Sequence, residues 1–165
     1  MDKNDKKMKL LELLEKDCMT PLEQLAVMCD MTYEEAASAI DELKDKKILL
    51  CSKSVINWEH TDKSFATAMI ELKVTPQRGE GFDKIAERIY KYPEVQSLYL
   101  VAGAYDLMVV IEGKTMKEVA LFVANRLAPM ESVVSTGTHF ILKKYKEEGI
   151  IFDDDESDTR PVISL

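Results

Sequence analysis

The most constraining feature of this sequence is the segment VQSLYLVAGAYDLMVVIEG, which spans Val95–Gly113. It holds two apolar runs typical of strands, joined by the tight connection Gly103-Ala104-Tyr105-Asp106. Glycine permits a positive φ and lets the backbone approach a bound molecule closely. The Asp106 carboxylate can accept hydrogen bonds from nearby amides or meet the ammonium group of a ligand. Helical patterns flank the segment on both sides, so it indicates a small-molecule sensor domain, although an ordinary turn also favours Gly and Asp.

Strands and helices are predicted on both sides of this hairpin, and together they have a recognisable order. Small and apolar side chains alternate with mostly polar ones before it, which predicts a half-buried strand from Ala66, Ala68, Ile70, Leu72 and Val74. Apolar side chains recur every three or four residues over 82–90 and 115–127, which predicts two amphipathic helices, the second opened by a capping box at Thr115 and Glu118. A last strand is predicted over 133–144. The order β-α-β-β-α-β is the ferredoxin-like arrangement, so we expect an α+β fold.

A sheet of this kind has helices on one face only, and its other face needs a cover. We expect the uncovered face to carry apolar side chains such as Leu98, Leu100, Met108 and Val110, or the residues that alternate with them. A second copy of the chain is the simplest cover, because exposed apolar faces favour self-association. The sequence therefore predicts a homodimer.

The first 58 residues show three short helical patterns. Two capping-box signals, Thr20-Pro21-Leu22-Glu23 and Thr32-Tyr33-Glu34-Glu35, lie twelve residues apart. The helix after the second signal has an inward face at helical spacing, formed by Ala36, Ala39, Ile40 and Leu43. Two short helices at this distance are typical of a helix-turn-helix. Residues 48–51 and 55–58 would then form the hairpin of a wing.

A winged helix-turn-helix binds double-stranded DNA through its third helix. The candidate DNA contacts, at the exposed positions of that helix and at the wing tip, are Tyr33, Glu34, Ser38, Lys44, Lys46, Lys47 and Lys53. Asp41, Glu42 and Asp45 occupy the same surface, and carboxylates there oppose contact with phosphates. Two interpretations therefore stay open: a domain that binds DNA, and a winged helix kept for dimerisation or protein contacts.

Charge and composition set the remaining limits. The net charge is −8, and the first 58 residues hold nine Lys against twelve Asp and Glu, so no part of the chain is basic. No apolar run approaches the length of a membrane span, so we expect a cytoplasmic protein with no membrane contact. The three cysteines and two histidines lack the spacing of a metal site, and no metal or cofactor is expected. The predicted domains are 1–60, a linker 61–65, 66–144, and an acidic extension 145–165. We expect this extension to be solvated or loosely packed, although Ile150-Ile151-Phe152 and Val162-Ile163-Ser164-Leu165 are apolar enough to pack.

In this order of features the chain resembles the Lrp/AsnC family of feast-or-famine transcription regulators over about residues 4–144. The resemblance is carried by the Gly103-x-x-Asp106 loop, by Pro93-x-Val95 before it, and by Val134-x-Thr136-x-Thr138 near the end. It implies a winged helix-turn-helix followed by a sensor domain called RAM, in dimers that assemble into octamers. It also implies that an amino-acid effector binds between dimers, at Val101, Gly103, Ala104, Tyr105, Asp106, Thr136 and Thr138.

Two departures from the family bear on the choice of function. Asp41 and Glu42 stand where family members commonly have arginines, and Lys47 stands where they tend to have glycine. The main hypothesis is a transcription regulator whose DNA binding responds to an amino acid or a related metabolite. The alternative is an effector-binding or interaction module that no longer engages DNA. An enzyme is not expected: sirohaem decarboxylases resemble this two-part fold, but residues 1–77 contain no Arg and only His60 for a carboxylated substrate.

Overall fold

The computed structural model describes residues 2–76 and 81–152. It divides into two compact units, one up to Val55 and the other from Ile56 onward. Within the described residues, no helix combines the length and the apolar character needed to cross a bilayer.

The first unit consists of three helices, α1 (Lys3–Lys16), α2 (Leu22–Met28) and α3 (Tyr33–Asp45). Their apolar faces share one small core, formed by Leu10, Leu25, Cys29, Ala39 and Leu43. The predicted capping box of α3 is confirmed, because Thr32 accepts from the Glu35 amide and Glu35 accepts from the Thr32 amide. A second capping box, Asp2 with Asp5, starts α1 and was not predicted.

Two predictions for this unit are wrong. Thr20 does not cap α2, because its hydroxyl lies 3.2 Å from the Asp17 carboxylate, and Pro21 occupies the N-cap position without a side-chain bond. The wing hairpin does not form either. Residues 48–57 contain no strand, and a 3₁₀ turn runs over Trp58–His60. Val55 and Ile56 are exposed, so this segment lacks the apolar surface against which a hairpin would be stable.

The second unit has the predicted β-α-β-β-α-β order. Its elements are β1 (Ala66–Val74), α4 (Gly81–Tyr90), β2 (Val95–Leu100), β3 (Leu107–Gly113), α5 (Met116–Phe122) continued by a π turn (Val123–Leu127), and β4 (Val133–Phe140). The four strands form one antiparallel sheet in the order β2-β3-β1-β4. The predicted α+β fold class is thereby confirmed.

The two faces of this sheet differ in polarity. The helix-covered face carries the main core, which includes Ile70, Leu72, Leu107, Val109 and Ile111. The face opposite, here called the open face, carries the alternating residues of each strand, among them Met69, Glu71, Tyr99, Met108, Val110 and His139. Leu98 and Leu100 were expected on the open face, but they pair with Val109 and Leu107 and therefore point to the helix side.

The end of the chain differs from the prediction. Strand β4 ends at Phe140 instead of residue 144, and a small hairpin follows, with β5 (Lys146–Glu147) and β6 (Ile150–Ile151). Its turn uses the positive φ of Glu148 and Gly149. Phe152 is buried, whereas Ile150 and Ile151 are exposed, so only the last residue of the apolar run 150–152 packs as its composition allowed. The acidic run 153–158 lies outside the described residues.

Candidate functional site

The connection between β2 and β3 is fastened to the sheet at its base. The Val101 amide donates to the Asp106 carbonyl at 2.9 Å, which closes the loop on itself. The Asp106 amide donates to the Leu72 carbonyl at 3.0 Å, which ties the loop to the neighbouring strand β1. The structure therefore brings Val101, Gly103, Ala104, Tyr105 and Asp106 together in one ordered loop, here called the effector loop.

Asp106 supplies most of this order through its side chain. One carboxylate oxygen accepts from the Val74 amide at 2.9 Å, and the other lies 3.1 Å from the Lys73 ammonium nitrogen. The Val74 hydrogen bond lowers the pKa of Asp106 below its ordinary value, and Lys73 lowers that pKa further. The sequence allows the Asp106 carboxylate either to accept hydrogen bonds from nearby amides or to meet the ammonium group of a ligand. In the structure it makes the first kind of contact, which orders the loop.

The tip of the effector loop is open. Gly103 and Ala104 are exposed, and a Cβ atom built at Gly103 has no heavy atom within 4 Å. The positive φ that glycine permits is not used at Gly103; among the described glycines it occurs at Gly81 and Gly149. The space above Gly103 is therefore accessible to a bound molecule.

Three polar side chains meet beside this loop on the open face. The Nε2 atom of His139 lies 3.3 Å from a Glu71 carboxylate oxygen, and the Tyr105 side chain lies close to the same carboxylate. Partial burial raises the pKa of the Tyr105 hydroxyl, and the nearby Glu71 charge raises it further. Sequence reasoning missed Glu71, His139 and Lys73. In the sequence, these three residues are recognisable only as polar positions of strands. The pattern of a single strand does not reveal how β1 aligns with β4, so it could not predict that Glu71 and His139 meet.

Thr136 and Thr138 do not join the loop within one chain. They pair across β4 with Leu72 and Ile70, whose side chains belong to the helix-side core. Directly paired residues of neighbouring strands point to the same face, so the two threonines point away from Tyr105 and Glu71.

A cavity of about 300 Å³ lies elsewhere, between α4 and β2. It is lined mainly by apolar side chains, among them Phe82, Ala86, Tyr90, Leu98 and Leu100. None of the predicted effector residues lines this cavity. Among the described residues, no group of three or more His, Cys, Asp or Glu could hold a metal ion.

The outer surface of α3 is acidic along its centre. Glu34, Ser38, Asp41 and Asp45 are all exposed and recur at spacings of three and four residues, so they form one stripe opposite the buried Leu43. The other candidate DNA contacts are also exposed and lie beside the stripe, beyond its end or in the following segment: Tyr33, Lys44, Lys46, Lys47 and Lys53.

Glu42 does not belong to that stripe. Its carboxylate lies between Lys46, at 2.7 Å, and Lys7 of α1, with which it also forms an ion pair. The hydrogen bonds from Lys46 and Lys7 lower the pKa of Glu42 from 4.5 to about 2. One of the acids expected to oppose DNA is thus directed toward α1, but Lys46 is engaged by the same contact.

The remaining lysines are available. Lys44, Lys47 and Lys53 form no ion pair with any other described residue. Lys47 has a φ of 54°, the conformation that favours glycine. Its amide donates to the Lys44 carbonyl, and the Ile48 amide donates to the Leu43 carbonyl, which is the Schellman ending of a helix.

Comparisons with known proteins identify the family of this chain. The family described as "Lrp/AsnC ligand binding domain" matches residues 67–151, which include all of the four-stranded sheet except Ala66, together with the effector loop. An uncharacterized HTH-type transcriptional regulator of Bacillus subtilis, YugG, is 45% identical over 165 residues, which cover 99% of each chain. The HTH-type transcriptional regulator FL11 of Pyrococcus furiosus is 28% identical over 89% of this chain and 93% of its own.

Solved structures show the same fold. The transcriptional regulator NMB0573 of Neisseria meningitidis, solved as a complex with L-Met, superposes with a TM-score of 0.70 at 19% identity. The match covers 89% of this chain and 93% of that one. These relatives are named as regulators and not as enzymes. The present chain belongs to the Lrp/AsnC family of HTH-type transcriptional regulators.

Proposed function

We propose that this chain is a cytoplasmic homodimer, assembling further to an octamer, that binds double-stranded DNA through its helix-turn-helix. An amino acid bound at the effector loop sets the affinity for DNA. The observation that carries this proposal is the effector loop itself, which Asp106 fastens to β1 while its tip at Gly103 stays open. The loop lies inside the residues that match a ligand-binding domain.

The DNA contacts follow from the charges on the first unit. The stripe of Glu34, Asp41 and Asp45 repels phosphates, so the lysines beside and beyond it supply the phosphate contacts, and these are Lys44, Lys47 and Lys53. Neutralising phosphates releases counterions, and the observed affinity then falls with salt by a logarithmic slope of about 0.9 per contact. Tyr33, Glu34 and Ser38 remain for contacts with base edges, where a glutamate can accept from cytosine.

The first experiment measures binding of the full-length protein to its own upstream DNA over a salt series. Saturable binding that weakens steeply with salt supports the proposal. The variants Lys44→Gln and Lys53→Gln should each reduce the salt slope by about one contact for every copy of the chain that is bound to the DNA. Lys117→Gln, an exposed lysine on α5 of the other unit, is the matched control and should leave the slope unchanged.

The effector half of the proposal is tested by ligand binding. The L-Met complex of the Neisseria relative makes L-methionine the first amino acid to test, followed by the other standard L-amino acids one at a time. Calorimetric titration of the full-length protein should show saturable binding of at least one of them. The same amino acid should then change the DNA affinity measured above.

The acidic stripe on α3 favours a second candidate function, an effector-binding module that does not engage DNA. The two functions separate at low salt, where electrostatic attraction is strongest. If the folded protein binds an amino acid but no DNA even at low salt, the second function replaces the first.

A further inference from the structure

The cavity between α4 and β2 has an apolar floor that depends on a β-bulge. β2 is an edge strand of the sheet, and its register with β3 shifts at Gln96, which is one residue more than the partner strand provides. Side chains of a strand alternate between the two faces, so one extra residue reverses the alternation beyond it. As a result Val95, Leu98 and Leu100 all pair with core residues of β3 and lie on the helix side.

Helix α4 leaves a gap above this floor. Phe82, Ala86 and Tyr90 line the cavity at intervals of four residues, so they follow one another along one side of the helix. The two aromatic residues are about 12 Å apart along the helix axis, and Ala86 between them carries only a methyl group. Tyr90 is 57% and Leu100 61% exposed, so the chain does not fill the space itself. An apolar slot bounded by two aromatic rings is therefore open to a ligand.

The charge of the slot is negative. Asp83 is the one charged side chain among the described residues that line the cavity. Its carboxylate forms no ion pair with another described residue. A ligand with an ammonium group would be attracted by this carboxylate and by the faces of the aromatic rings, whereas a ligand carboxylate would be repelled.

The size and the position of the cavity limit its ligand further. About 300 Å³ is at the lower end of the range for ligand pockets. At roughly 30 Å³ for a group the size of a water molecule, this space holds about ten such groups, enough for an aromatic ring system with a short side chain. The cavity lies on the helix side of the sheet, so a homodimer formed through the open face would leave it accessible.

We propose that the cavity between α4 and β2 is a second ligand site, separate from the effector loop, that binds small arylalkyl amines. The aromatic body lies in the slot between Phe82 and Tyr90, where ring edges and faces can pack against it. Asp83 receives the ammonium group at the mouth. The ligand differs from an amino-acid effector in having no carboxylate.

The ligand class is tested by calorimetric titration of the full-length protein with three indoles of similar shape. Tryptamine carries an ammonium group, tryptophol a neutral hydroxyl group and indolepropionate a carboxylate. We expect saturable binding of tryptamine, with tryptophol about threefold to tenfold weaker because Asp83 is exposed, and indolepropionate weakest. Absence of tryptamine binding, or tryptamine binding no tighter than tryptophol, would overturn the proposal.

The location is tested with three variants of the full-length protein. Asp83→Asn removes the charge, so tryptamine should bind no tighter than tryptophol, while the affinity for tryptophol stays unchanged. Ala86→Leu fills the slot and should weaken both ligands about tenfold or more. Glu87→Gln is the matched control: Glu87 lies on the same helix, pairs with Lys91 and does not line the cavity, so its variant should bind as the wild type does.

The outcomes decide between this cavity and any other place on the protein. Unchanged tryptamine affinity in folded Asp83→Asn and Ala86→Leu would place the amine elsewhere and overturn the proposal. Thermal unfolding shows whether each variant is folded; if Ala86→Leu is not, Asp83→Asn and the comparison of the three indoles decide. The DNA and amino-acid titrations are separate measurements, so failure of the amine site leaves the proposed function as it stands.

Discussion

Asp106 shows how one residue can organise a loop without meeting a ligand. Its backbone amide binds Leu72, and its carboxylate binds Val74 and Lys73, so all three contacts go to β1. They hold the connection between β2 and β3 against the middle of the sheet, which leaves the tip at Gly103 free. In this chain, the aspartate of the glycine-containing turn therefore serves to order the loop.

Lys47 shows the opposite case, a residue in a conformation that suits it poorly. Its φ of 54° costs an L-residue about 1–2 kcal/mol, while glycine adopts it freely. The variant Lys47→Gly should therefore stabilise the first unit by up to about 1 kcal/mol, once the greater freedom of unfolded glycine is subtracted. Urea unfolding followed by circular dichroism measures this change.

Lys44→Gly is the matched control for that variant. Lys44 is an exposed residue in the last turn of α3 and forms no ion pair with another described residue. Its backbone is helical, so glycine there gains nothing from its freedom and should destabilise the unit by about 0.5–1 kcal/mol. Equal effects of the two variants would show that the strain at Lys47 is not the cause.

At the scale of elements, burial decides which predictions succeed. Strand β1 has the predicted bounds, Ala66–Val74, because one side of its alternating pattern is buried in the core. Residues 48–57 contain similar apolar residues, but most of these are exposed and no strand forms there. The capping prediction for Thr20 is wrong because its hydroxyl donates to the Asp17 carboxylate, a contact that the capping pattern does not reveal.

The same reasoning limits what could be predicted of the site. The position of the effector loop follows from its local sequence, since both strands and the turn are contiguous. Its partners Glu71, Lys73 and His139 come from β1 and β4, and their approach depends on strand order and register. A one-residue shift in register would place each side chain on the other face, and no local pattern excludes such a shift.

The contact between α1 and α3 gives a prediction about pH. Glu42 lies between Lys46 and Lys7, and its pKa falls from 4.5 to about 2 on folding. A lowered pKa stabilises the folded state fully above pH 4.5, and this contribution is lost as the pH falls toward 2. Glu42→Gln should therefore lower the Tm at neutral pH by a few degrees at most, because the group is solvent-screened, and should flatten the fall in Tm below pH 4.5.

Glu34→Gln is the control for this measurement. Glu34 lies on the same helix in the exposed stripe, and it forms no ion pair with another described residue. Thermal scans over a pH series should give this variant the wild-type profile. A Glu42→Gln profile that matches the wild type instead would mean that the Lys7 and Lys46 contacts do not contribute to stability.

At the scale of the whole molecule, we expect the open face to form the interface of the proposed homodimer. Tyr99 is 55% and Met69 37% exposed there, beside the half-buried Met108 and Val110. We expect a second copy to cover these side chains, so Val110→Asp would bury an unpaired carboxylate in the interface and dissociate the homodimer. Sedimentation velocity measures the change in mass.

Leu121→Asp, at an exposed apolar position on α5, is the control for Val110→Asp and should leave the mass unchanged. An unchanged mass for both folded variants would exclude the open face as the interface.

The coupling between effector and DNA is a property of the whole assembly and obeys one strict relation. If an amino acid changes the affinity for DNA by some factor, DNA must change the affinity for that amino acid by the same factor. We therefore expect calorimetric titrations with and without saturating upstream DNA to reproduce the factor found in DNA-binding assays with and without the amino acid. Agreement at one protein concentration but not at a lower one would place the coupling in assembly, since dilution would shift the proposed oligomer toward smaller species. Disagreement at every concentration would mean that the amino acid acts on the measured DNA binding by a route other than its own site.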